Sequence, residues 1–94
     1  MMNKQKFNDV WDALEGTSEA AENMKLRSNL MMAVQEYVRE LDTTQAEAAR
    51  RLGITQPRLN DLLQGKIDKF SLDAMVNMLS HAGKHLSIHI QDAA

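Results

Sequence analysis

The chain contains no cysteine, a single proline, four glycines and only four aromatic residues among its 94 positions, and it has no excess of basic residues. Each shortage closes off a class of answer. Without cysteine there is no thiolate nucleophile, zinc–thiolate site or disulfide framework, a composition that suits a reducing cytosol. No run approaches the roughly 18 apolar residues of a membrane span, and the opening MMNKQKFNDVWDALEG lacks the apolar centre of a secretory signal. A soluble, cytoplasmic chain is expected. No glycine-rich phosphate loop is present, nor a nucleophile, base and orienting acid at recognisable spacing, so no enzyme and no cofactor are expected. The length suffices for one hydrophobic core without metal or disulfides, and not for two.

What is present is charge in two unequal halves. Residues 1–43 hold five Lys/Arg against eight Asp/Glu, giving −3, whereas 44–94 hold six against five, giving +1. Affinity for nucleic acid rests on neutralising phosphates, so the overall −2 argues against such binding when averaged over the molecule. The distribution argues the other way, because Arg50, Arg51, Arg58, Lys66 and Lys69 fall in one stretch.

That stretch, 44–66, reads TQAEAARRLGITQPRLNDLLQGK. Thr44 with Glu47 three positions on predicts a helix start in which hydroxyl and carboxylate reciprocally satisfy orphaned amides. Ala46, Ala48 and Ala49 let a neighbouring helix approach closely, and Gly53 ends this first helix where a left-handed residue needs no Cβ. Ile54 plugs the crevice before Thr55 caps a second helix that carries Gln56 and Pro57 in its first turn, where a missing N–H costs nothing. Gly65 closes it. At about 100° per residue Leu59, Leu62 and Leu63 share an apolar stripe, with Pro57, Asn60, Asp61 and Gln64 opposite. Gln56 and Arg58 flank that outward face near the helix start, where a helix docked in a major groove brings side chains to base edges.

The flanking sequence supplies the support. Leu26, Leu30, Val34, Tyr37, Val38 and Leu41 form a stripe at spacings of three and four, which predicts a core-facing helix packed under the motif. A helix start at Thr17 or Ser18, with Glu19 and Glu22 near its positive end, either runs into this helix or breaks before Leu26. Ser71 caps a last helix whose Leu72, Met75, Val76, Leu79 and Ala82 complete the core before Gly83. Upstream, Phe7, Val10, Trp11 and Leu14 lie at helical spacing in a segment too short to be stable alone. They dock either on the domain or on a second protein, roles that aromatic anchors serve equally.

From His85 to Ile90 the period changes to two. Leu86, Ile88 and Ile90 share one side and His85, Ser87 and His89 the other, which predicts a strand with no obvious partner in the chain. Pairing with a second copy resolves the exposed edge. A homodimer follows, presenting two reading helices to half-sites about one helical turn apart in an inverted repeat. His81, His85 and His89 are spaced by four, but Gly83 interrupts them and no carboxylate accompanies them, so no metal site is expected. Met24, Met31, Met32, Met75 and Met78 read as core filling.

The motif at 44–66, together with the following FSLDAMVNMLSHAG, resembles the Cro/repressor or XRE-type helix-turn-helix family over roughly residues 24 to 83. Within it the chain looks most like the small HigA-type antitoxins, with an N-terminal extension and a β-prone tail, HLSIHI. The resemblance implies an all-α, lambda-repressor-like bundle in three parts: an extension at 1–23, the DNA-binding domain at 24–83, and a C-terminal strand and tail at 84–94. It implies that Gln45 bonds a phosphate, that Gln56, Pro57 and Asp61 face base edges, and that Gln64 to Lys66 approach the backbone. Taken with the helix pattern, Gln56, Arg58 and Asn60 are expected to read bases and Pro57 and Asp61 to shape the contact. Gln45, Thr55, Gln64, Lys66 and Lys69 are expected to hold the backbone. Family members often carry amides or small polar residues where this chain has Pro57 and Asp61. Proline here would touch a thymine methyl, and the acid would accept from cytosine N4. The resemblance also implies repression of the chain's own operon and a RelE-like ribonuclease toxin as partner, bound through Phe7, Val10, Trp11 and Leu14. The acidic N-terminal half suits a basic partner. Two other readings stand beside this one: a phage or cellular repressor without a toxin, and a protein-interaction module that has lost DNA binding.

Overall fold

The computed structural model of the chain describes residues 17–92. The segment expected to hold Phe7, Val10, Trp11 and Leu14 lies outside them. Four helices follow in order: α1 at Ser18–Leu41, α2 at Gln45–Leu52, α3 at Gln56–Leu63 and α4 at Leu72–His81, with a single 3₁₀ turn at Ile67–Lys69. Each α-helix starts at a hydroxyl that accepts an amide of its first turn: Thr17 from Ala20, Thr44 from Glu47, Thr55 from Arg58 and Ser71 from Ala74, at 3.1 to 3.3 Å. Such a cap contributes about 1 kcal/mol by satisfying a donor that the helix itself cannot.

The long helix α1 begins at Ser18 and runs without a break through Leu26, so the expected division at 23/24 falls within one continuous rod. Its stripe works from Leu30 onward, where Met31 and Val34 are buried and Leu30, Tyr37, Val38 and Leu41 pack against the core. Leu26 is 45% exposed, contrary to the stripe expectation. In α4 the buried positions are Met75, Met78 and Leu79, while Val76 turns partly outward. Met24 is half-buried and Met32 exposed, so core filling describes Met31, Met75 and Met78 alone.

The core joins all four helices: Val34 of α1, Leu52 of α2, Leu59 and Leu62 of α3, and Met75 of α4 are fully buried around Phe70, which sits between the 3₁₀ turn and α4. Two polar contacts fix the geometry further. Gln35 Nε2 of α1 donates to the Leu62 carbonyl at 2.9 Å, pinning the end of α3, and His81 Nδ1 lies 3.1 Å from the Arg51 carbonyl, tying the end of α4 to the last turn of α2. Gly53 makes that second contact possible. Its φ is +72°, and a Cβ there would come within 2.9 Å of the His81 ring, so both its conformation and its space call for glycine.

The expected C-terminal strand is not seen. Beyond Lys84, whose amide donates to the Leu79 carbonyl at 2.8 Å, no backbone hydrogen bond involves residues 85–92 among the described residues. The reason is physical: a strand is defined by a partner, and this bundle of helices offers its tail none. Leu86 packs on the core, while Ile88 and Ile90 are 85% and 88% exposed.

Candidate nucleic-acid interface

The outward face of α3 follows from what its inward face buries. Leu59 and Leu62 are wholly inaccessible, and helical geometry then carries Gln56, Pro57, Asn60 and the capping residue Gln64 to solvent. Leu63 is half-buried at the edge of the stripe. Pro57 occupies the first turn, where it forfeits no intrahelical bond. Thr55 and Gln45 stand at the starts of α3 and α2, both exposed.

Charge on α2 and at the end of α3 is arranged in two compensated clusters that each retain a positive excess. Asp61 sits between Lys66 Nζ at 3.2 Å and Lys69 Nζ at 3.3 Å. The hydrogen bond from Lys66, reinforced by Lys69, holds its carboxyl below the usual aspartate range. The Asp61 carboxylate is thus accompanied by two cations. On α2, Glu47 accepts from Arg50 at 2.5 and 3.0 Å and from Arg51 at 2.9 Å. Arg50 first, and Arg51 next, lower its pKa to about 2. This corrects the expected reciprocal cap: Thr44 accepts the Glu47 amide, but the Glu47 carboxylate turns to the arginines, whose charge outcompetes a neutral amide. Over 44–70 there are five Lys/Arg against three Asp/Glu, giving +2 on an otherwise acidic chain.

Arg58 stands elsewhere than on the outward face. Its guanidinium lies over the Phe70 ring, 4.4 Å from the centroid, and donates to the Lys69 carbonyl at 3.3 Å. It thereby braces α3 against the 3₁₀ turn, with its charge beside the outward face of the helix. Sequence reasoning missed two residues that position this site. Gln35 sits in a helix with nothing local to announce a contact 27 residues away, and Phe70 lies between two helices where no period marks it. Its aromatic character among only four such residues was the available signal.

The profile of the helix-turn-helix domain family matches residues 14–91, which covers the bundle and most of the tail. The chain belongs to the helix-turn-helix domain family. The fold is thus that of a DNA-binding regulator, and α2, the turn at Gly53–Ile54 and α3 are the elements that give the family its description. No curated protein matches the sequence. The match continues past Gly83 to residue 91. Among the described residues no helix is long and apolar enough to cross a membrane, and no group of three His, Cys, Asp or Glu is placed to hold a metal.

Proposed function

We propose that this protein is a sequence-specific transcriptional repressor of the XRE type, acting in the cytoplasm by occupying its operator and excluding polymerase, with no catalytic step. The observation that carries this reading is the two-sidedness of α3: leucines fully buried behind, Gln56, Pro57, Asn60 and Gln64 exposed in front, with the Asp61–Lys66–Lys69 cluster at its end. Gln56 and Asn60 read bases, Pro57 and Asp61 shape the fit, and Gln45, Thr55, Gln64, Lys66 and Lys69 hold phosphates. Arg58 acts from the shoulder, on a phosphate or by keeping α3 in place. A modest positive patch makes binding by one copy weak, so two copies related by a twofold axis engage an inverted repeat.

The finer reading is that of an antitoxin like the HigA type, which represses its own operon and neutralises a RelE-like toxin by direct contact. The resemblance of the motif and the −3 charge of residues 1–43 support it, and Phe7, Val10, Trp11 and Leu14 are the anchors it assigns to the toxin. Gel shift and footprinting on the chain's own upstream DNA test the repressor, and protection of an inverted repeat is the expected result. Copurification with the product of the neighbouring gene tests the antitoxin, with Trp11→Ala expected to weaken capture. A repressor that protects its promoter and captures nothing is the phage or cellular type instead. A chain that shifts no fragment at low salt is a protein-interaction module.

A further inference from the structure

We infer that the tail at 84–92 pairs antiparallel with the same segment of a second copy, in one register, centred on Ile88. This rests on the reading of the chain as a twofold dimer and names the surface that makes it. The backbone of 85–92 has no hydrogen-bond partner among the described residues, so a ladder is available along its whole length. Directly opposite residues of an antiparallel pair project from the same face. A twofold axis through Ile88 sets Ile88 against itself and Leu86 against Ile90 at both ends, so every apolar residue of the segment meets an apolar one. Moving the axis to Ser87 sets Ile90 against Lys84, and moving it to His89 sets Leu86 against Asp92. An axis between residues mixes polar and apolar on both faces.

Charge selects the same arrangement independently. With the axis at Ile88, Lys84 faces Asp92 at each end of the ribbon, whereas parallel pairing would set lysine against lysine and aspartate against aspartate. The surroundings fit as well. Leu86 already packs on the core beside a groove of about 370 Å³ that Leu30, Ala33, Tyr37 and Leu79 help to line, and the partner's Ile90 enters beside it. The tail returns along α1, with Gln91 and Asp92 near Ser18 and Glu22, which places the ribbon over the face where Leu26 lies uncovered. The second copy therefore covers Ile88 and Ile90, the two most exposed of the large apolar residues described.

The absence of native cysteine makes the test clean. Single cysteines placed in turn at positions 85 to 91 of the full chain are oxidised at low protein concentration and read on a non-reducing gel. Ile88→Cys is expected to give the most covalent dimer, because only the residue on the axis faces its own copy at disulfide distance. A mixture of Leu86→Cys and Ile90→Cys chains is expected to link with each other more than with themselves. Ile88→Asp is expected to weaken self-association roughly a hundredfold in sedimentation, because it sets two carboxylates face to face. Linking that peaks away from 88, or that nowhere exceeds an exposed control such as Asp73→Cys, overturns the register. An Ile88→Asp chain that remains dimeric overturns the interface. Gel shifts on the same proteins separate the two proposals: linking at 88 without operator binding leaves the ribbon standing and removes the repressor, and operator binding without linking does the reverse.

Discussion

The motif of α2 and α3 and the tail at 84–92 carry equally regular patterns, one with the period of a helix and one with the period of a strand, yet only the first becomes regular structure. The difference lies in where the partners are. Each buried leucine of α3 meets side chains that the same chain brings to it, and each helix start meets its own hydroxyl cap. Ile88 and Ile90 carry comparable apolar surface, and nothing among the described residues covers it. Periodicity therefore specifies which side chains share a face. Whether that face finds a surface is a property of the rest of the molecule, or of another copy of it.

The sharpest way to break this contrast is to remove a comparable side chain from each region. Leu59→Ala, at a site with no accessible surface, is expected to lower unfolding stability by about 3 kcal/mol. Ile88→Ala, measured where the chain is monomeric, is expected to change it by less than about 0.5 kcal/mol. Equal losses in urea denaturation would mean that the tail is as well packed as the motif. Next in size is Gly53→Ala, expected to cost about 2 kcal/mol because alanine must adopt a positive φ beside the His81 ring. In a His81→Ala background the steric part of that cost disappears and the conformational part remains, so a smaller penalty there separates the two.

The smallest effect expected is electrostatic and confined to the motif. Glu47 titrates at about 2 in the folded chain because Arg50 and then Arg51 bond its charged form, against 4.5 ordinarily, and Asp61 is lowered by Lys66 and Lys69. A depressed carboxyl contributes stability that is present above its unfolded pKa and lost as pH falls toward its folded one. The wild-type urea midpoint should therefore fall between about pH 4.5 and pH 2, and Glu47→Gln should flatten part of that fall.

These contrasts also explain how much was legible from residues alone. The starts of α2, α3 and α4 and the positive-φ turn at Gly53 were readable because caps and glycine turns are local chemistry. The burial of Leu59 and Leu62 was readable because helical spacing fixes a face. Leu26 was misread for a related reason: spacing fixes which side chains share a face but not what lies against that face, and Leu26 is 45% exposed. The place of Arg58 was not readable, since its partner Phe70 is reached only once the 3₁₀ turn folds back on α3. Gln35 was silent for the same cause, its bond to Leu62 being a product of tertiary geometry.

The central claim is that the solvent face of α3 discriminates among DNA sequences, and competition binding tests it most directly. The affinity of Gln56→Ala and Asn60→Ala for the chain's own upstream fragment is compared with that for random duplex of equal length at one salt concentration. Each substitution is expected to lower the preference for the upstream fragment about tenfold or more while leaving the unfolding midpoint at the wild-type value. If both variants keep the full preference, that face of α3 is not what reads the sequence.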